Sequence, residues 1–201
     1  KGGIDDLNGA NGSDIYLIGQ PDEHSAAEFS DKGFEGIDEV RFSPPASPVA
    51  PGTQPTVPKL TLFEGDFGIE RVVIGTGTGK AAITTGKIAA DIDASAVKNG
   101  LTLVGNNGAN ELTGTAFDDV LIGNGGMDTL TGGAGSDKFV FNTIPNAKSE
   151  VDTFMDFTHG EDQLVFVRSK FANIGPVGDL AESAFSSGAG LTKAQDADDR
   201  F

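Results

Sequence analysis

Between Gly105 and Val140 one apolar position returns every nine residues: Leu112, Leu121, Leu130 and Phe139. Each sits in the middle of a short strand-like triplet, and a glycine-rich hexapeptide separates one triplet from the next. The units are GNNGANELT (105–113), GTAFDDVLI (114–122), GNGGMDTLT (123–131) and GGAGSDKFV (132–140). The last fits G-G-x-G-x-D-x-U-x, with U a large apolar residue, at every specified position, and the third departs from it only at Asn124. The triplet predicts a strand with one inward side chain, because successive strand residues face opposite sides. The hexapeptide predicts a tight turn, because glycine accepts backbone conformations closed to other residues and leaves its carbonyl uncovered.

If alternate units form opposite walls, two units make one coil, and coils stack about 4.8 Å apart. Sixth positions eighteen residues apart then face each other, which pairs Asp119 with Asp137 and Asn110 with Asp128. Stacked carboxylates repel unless a cation lies between them, and a hard divalent ion takes six or more oxygens. The nonapeptide is a known calcium-binding repeat form. The expected Ca²⁺ ligands are therefore Asp119 with Asp137 in one site and Asn110 with Asp128 in a second, weaker one. Carbonyls of Gly123, Gly125, Gly126, Gly132, Gly133 and Gly135 supply the remaining oxygens.

The flanks are less regular. Two further units occupy residues 1–18, with Asp5 and Asp14 in sixth positions. Eighteen residues on stand Glu23 and Lys32, so the phase is lost there and both units are expected to be half-sites. Short strands are expected at Ala26–Phe29, Glu39–Phe42, Leu60–Phe63, Arg71–Ile74, Ala82–Thr84 and Leu101–Val104. GIDEVRF (36–42) and GIERVVI (68–74) echo each other at a distance of 32 residues, as irregular coils of one solenoid would. Between them lie six prolines in 43–59, which cannot serve a sheet interior and predict a surface loop. GTGTGK (75–80) is not a phosphate loop. Ile74 stands where such a loop begins with glycine, Ala81 replaces its Ser/Thr, and Lys80 occupies the third glycine of a dinucleotide fingerprint. A solenoid turn is expected there instead.

After Val140 the period ends. VDTFMDF (151–157) and THGEDQLVFV (158–167) alternate apolar and polar residues and predict strands that cap the end of the roll, which would otherwise expose its core. Asp152 and Asp156 stand close enough beyond the last repeat to ligate a terminal ion. DLAESAF (179–185) predicts a short helix, and QDADDR (195–200) an acidic loop. The domain reading is thus irregular coils over 1–104, the regular roll over 105–140 and a capping region over 141–201, with both ends reading as cut from a longer chain.

A net charge of −16 and a pI near 4.2 exclude a basic nucleic-acid footprint and suit a chain neutralised by cations. Without cysteine there is neither a disulfide scaffold nor a thiolate metal site. Nothing in the sequence has the length of an apolar membrane span, so no membrane insertion is expected. His24 and His159, the two histidines, lie in polar, turn-like stretches and read as solvated. A solenoid acting on acidic polysaccharides needs a basic, aromatic groove, whereas this chain has one tyrosine and no tryptophan. G-x-S-x-G and H-E-x-x-H are absent, so catalytic residues are expected to be none.

On the four units of 105–140, on the VDTFMDF…GEDQL segment after them and on DADDRF, the chain resembles the RTX (repeat-in-toxin) family, with a serralysin-like carboxy-terminal region. GSDIY, AAEF, GIDEV and GIERVVIG are similar to the irregular coils between repeat blocks of large RTX proteins. The resemblance implies an all-β fold, a parallel β-roll, with irregular coils before the repeats and a β-rich cap after them. It implies Ca²⁺ as the cofactor and a non-catalytic module of a secreted bacterial protein, folded by calcium after type I secretion. The secretion machinery would engage a segment beyond this chain, and the localisation would be extracellular or cell-surface. Alternatives are a self-associating spacer in an adhesin or surface-layer protein, or an accessory part of an enzyme whose active site lies elsewhere. Asn110 in place of aspartate and Phe117 in place of the fourth-position glycine depart from the family pattern.

Overall fold

The computed structural model describes residues 9, 11–26, 28–30, 32, 35–45, 56–144 and 151–171. Among these the fold is all-β, with no α-helix and one 3₁₀ turn at Pro21–Glu23. The strands are β1 (Ile15–Ile18), β2 (Glu39–Phe42), β3 (Lys59–Thr61), β4 (Arg71–Ile74), β5 (Asp91–Asp93), β6 (Thr102–Val104), β7 (Glu111–Thr113), β8 (Val120–Ile122), β9 (Thr129–Thr131), β10 (Lys138–Phe141), β11 (Thr153–Phe154) and β12 (Gln163–Phe166). They form two parallel sheets. One runs β1-β2-β4-β6-β8-β10-β12 and the other β11-β9-β7-β5-β3. From β3 to β12 consecutive strands alternate between the walls, so the chain winds as a parallel β-roll.

Inside the repeats the register is the eighteen-residue one: Leu112 lies beside Leu130, and Leu121 beside Phe139. All four of these side chains are buried. Their rows continue in both directions. Ile92 precedes Leu112 and Phe154 follows Leu130 in one wall, while Tyr16, Val40, Val72 and Leu103 lead to Leu121, Phe139 and Leu164 in the other. One continuous core fills the space between the walls. The echo of 36–42 in 68–74 is a coil-on-coil contact, with Glu39 beside Arg71 and Phe42 beside Ile74.

Several local expectations are corrected. Of the strand expected at Ala26–Phe29, the described residues 26, 28 and 29 form none; a single bridge joins Ser30, the next residue, to Phe67, and Phe29 is packed into the core instead. Ala82–Thr84 contributes one antiparallel bridge between Ile83 and Thr76 that closes the 75–83 turn. That turn lies over the outer face of β2, where Arg41 donates to the Gly77 carbonyl at 2.5 Å and pairs with Glu39. Strand β5 had no clear sequence signal, since DID is short and mostly acidic. It forms because Ile92 is held between Leu60 and Leu112 in the neighbouring strands.

His24 is not solvated. It is buried, its Nδ1 lies 3.0 Å from Glu28 Oε2 and its Nε2 2.9 Å from Asp66 Oδ2, and its ring stacks on Phe29. Burial by itself would raise the Glu28 carboxyl pKa, but the Ser25 N–H and hydroxyl and the His24 ring hold it below the usual value. Asp66 also accepts the Phe63 N–H at 2.7 Å. The network therefore ties two loops together through a residue 42 positions away. His159 is exposed, as expected. Residues 46–55 of the proline-rich run, the expected helix at 179–185 and the acidic loop at 195–200 lie outside the described residues.

Candidate metal centre

Each strand of the longer sheet is entered through a turn, and the residue just before the strand defines a ladder along one edge of the roll. That residue is Asp14, Asp38, Glu70, Leu101, Asp119, Asp137 or Asp162. The strand hydrogen bonds begin one residue later, so the N–H at this position needs a partner outside the sheet. At five of the seven a carboxylate from the next coil provides it, whereas Glu70 N–H donates to the Asp38 carbonyl at 3.2 Å and Asp162 N–H to the Thr158 carbonyl at 2.9 Å. Asp14 N–H donates to Asp38 Oδ1 at 2.8 Å and Asp38 N–H to Glu70 Oε2 at 2.8 Å. Leu101 N–H donates to Asp119 Oδ1 at 2.6 Å, Asp119 N–H to Asp137 Oδ1 at 2.9 Å and Asp137 N–H to Asp162 Oδ1 at 2.9 Å. The other edge repeats the device, with Asn110 N–H donating to Asp128 Oδ1 at 2.9 Å and Asp128 N–H to Asp152 Oδ1 at 3.1 Å.

The structure thus brings together Asp119 with Asp137 and Asn110 with Asp128, and places Asp152 over Asp128. Asp156 lies on the last repeat turn, where it accepts the N–H groups of Gly132 and Gly133 at 2.9 and 2.8 Å. Asp14 is not partnered at eighteen residues; an insertion moves its partner to Asp38, 24 residues on. Asp5 lies outside the described residues. Asp162 was missed by the sequence reading, although it precedes QLVF as Asp137 precedes KFVF.

The sixth-position side chains are buried, with Asn110 3% and Asp119, Asp128 and Asp137 each 1% exposed. Burial pushes the Asp128 carboxyl up to about 7, opposed by the Asn110 N–H and reinforced by the Asp152 charge. Burial likewise pushes Asp137 up to about 6, with the Asp119 N–H opposing and Asp119, Asp162 and Asp156 adding repulsion. Asp119 is also raised by burial, against the donors of Thr115 and Leu101. These are carboxylates short of positive charge.

Whether the turns suit a cation depends on their oxygens. A Cβ built on Gly114 would lie under 3.0 Å from both the Gly132 carbonyl oxygen and Asp119 Oδ2. One built on Gly105 would meet the Gly123 carbonyl oxygen and Asn110 Oδ1 equally closely. The absent side chains leave cradles into which oxygens of two coils converge. Asp128 Oδ2 is buried with no hydrogen-bond partner. Among the described residues no three Asp, Glu, His or Cys side chains group as a ready-made cage, and the further oxygens at hand are turn carbonyls. That donor set, all oxygen with few carboxylates, fits a hard divalent cation and not a transition metal.

A parallel β-roll whose turns carry such oxygens defines the class: a calcium-binding roll. Residues 104–139 match the RTX calcium-binding nonapeptide repeat in four copies. The chain thus carries RTX repeats of the hemolysin type, and repeats of this family bind Ca²⁺. No curated protein matches the chain. Among the described residues no helix is long and apolar enough to cross a membrane.

Proposed function

We propose that the chain is a non-catalytic calcium-binding module of a secreted protein, in which Asp128, Asp137 and the neighbouring turn carbonyls hold Ca²⁺ and the ion stabilises the roll. The observation that carries this reading is the buried, unpartnered Asp128 Oδ2 in a turn of the matched repeat. An oxygen of this kind is costly to bury alone and is stabilised by a cation. Asp152 and Asp156 extend the same chemistry into the cap.

Export before folding follows from the same physics. In a calcium-poor compartment the crowded carboxylates of the two ladders oppose the roll, and in a calcium-rich exterior binding to the folded state alone favours it. The acidity of the chain and the absence of cysteine agree with an exterior in which calcium takes the place of disulfides. Type I secretion is the export route this reading expects. Far-ultraviolet circular dichroism of the chain with calcium and with chelator tests it directly, and identical spectra and thermal transitions in the two conditions would overturn it.

A further inference from the structure

The four repeat turns differ in how their sixth side chain is used. In 105–110 the Asn106 N–H donates to Asn110 Oδ1 at 2.8 Å, and the Asn110 amide donates to the Ala90 carbonyl at 2.7 Å. In 114–119 the Thr115 N–H and hydroxyl donate to Asp119 Oδ2 at 2.6 and 3.0 Å, while Leu101 N–H occupies Oδ1. These two turns are closed by their own protein donors. None of Asn106, Gly108, Thr115 and Phe117 has a left-handed backbone.

The next two turns are left-handed at both the second and fourth positions: φ is 69° at Asn124, 125° at Gly126, 106° at Gly133 and 120° at Gly135. With that backbone the second N–H no longer meets the sixth carboxylate. Asp128, 1% exposed, keeps Oδ2 unpartnered in the cradle over Gly123. The Gly133 N–H goes out to Asp156 Oδ2, leaving Asp137 Oδ2 over Gly132 without the bond that closes the 114–119 turn. The cap docks on these same two turns. Asp152 receives the Asp128 N–H, Asp156 the Gly132 and Gly133 N–H groups, and Asp162 the Asp137 N–H. Strands β11 and β12 pair with β9 and β10 directly beyond them.

We infer that calcium is taken up at the second pair of turns, 123–128 and 132–137, and not at the first pair, and that this uptake fastens the cap to the roll. The inference rests on the calcium-binding reading and divides its sites. The first pair folds on protein hydrogen bonds alone. At the second pair an unmatched buried oxygen meets the carboxylates of Asp152, Asp156 and Asp162, whose mutual repulsion opposes docking until a cation offsets it.

Amide hydrogen exchange and calorimetric calcium titration on the 201-residue chain test this with D128N, D119N and the double variant T115G/F117G. The expected result is that β6 and β8 are protected without calcium, while β11, β12 and 123–137 gain protection only on its addition. D128N lowers the number of ions bound and loses cap protection, whereas D119N keeps both. T115G/F117G, which restores glycine at the two positions that are left-handed in the later turns, raises the number bound. Should D128N not fold, the D119N and T115G/F117G arms still decide. Loss of ions in D119N equal to that in D128N, no gain in T115G/F117G, or protection of 105–122 and the cap in a single calcium-dependent step would overturn the inference and leave calcium binding intact. No heat of binding and no change in exchange anywhere would overturn the calcium reading itself.

Discussion

The backbone N–H of Asp119 donates to Oδ1 of Asp137 at 2.9 Å, eighteen residues further along the chain and one coil on. This contact spends one oxygen of Asp137 on the roll and leaves the other over Gly132. Asp137→Ala removes both roles at the edge where the cap begins. It should weaken calcium-dependent folding by roughly 1–3 kcal/mol, the cost of stranding buried polar groups. Asn110→Ala removes a neutral side chain already satisfied by the Asn106 N–H and the Ala90 carbonyl and should cost distinctly less in calcium affinity. Calcium titrations followed by dichroism compare the two, and equal midpoints would contradict the assignment.

Removing calcium should lower β content and thermal stability, and restoring it at millimolar concentration should recover both. Affinity is expected on the order of 10⁻⁴ to 10⁻³ M, the range of extracellular modules. Magnesium should substitute poorly, because it keeps its waters and requires a smaller octahedral cage. Thermal melts across a calcium series, with magnesium as the comparison, provide the check.

The calcium-free chain should be most stable in mild acid. Asp128 and Asp137 are raised to about 7 and about 6 from an unfolded value of 3.8, so the folded state binds more protons than the unfolded one between these limits. Stability from this source is complete below the unfolded value and is lost as pH rises through 6 and 7. With calcium bound, protons compete with the ion and the trend should flatten or reverse. Urea midpoints at pH values on either side of this window, with chelator and with calcium, read the sign; an apo midpoint that rises with pH would contradict it.

His24→Ala should destabilise the first coils by about 3–5 kcal/mol, because it leaves the buried carboxylates of Glu28 and Asp66 facing each other without their shared partner. Calcium should not rescue the loss, since the network is separate from the repeat turns. Urea denaturation at saturating calcium measures it, and a change under 1 kcal/mol, within the range typical of surface substitutions, would mean that His24 is not holding the two loops together.

What the sequence determined was whatever depends on a short, unbroken period. The turn, the inward residue and the eighteen-residue stacking all follow from nine local positions, so the strands at 111–140, their core row and the pairs Asp119–Asp137 and Asn110–Asp128 were legible in advance. The echo of 36–42 in 68–74 likewise announced its own stacking. Only the tertiary structure decided where insertions shift the period. Asp14 meets Asp38, Asp128 meets Asp152 and Asp137 meets Asp162 at separations of 24, 24 and 25 residues, because strands must pair across a coil whatever length of loop lies between them. It also decided that His24 is buried, through a carboxylate 42 residues away. The same holds for the difference between the two turns that begin Gly-Asn and carry glycine in fourth place, 105–110 and 123–128. Whether a sixth carboxylate is closed by its own turn or left open depends on the backbone conformation of the second and fourth residues. Asn124 adopts the left-handed form where Asn106 does not: Asn124 is held by the Gly105 carbonyl, the Asn142 amide and the Thr143 hydroxyl, while Asn106 donates to the Ile88 carbonyl, so contacts with neighbouring coils and not residue type separate the two.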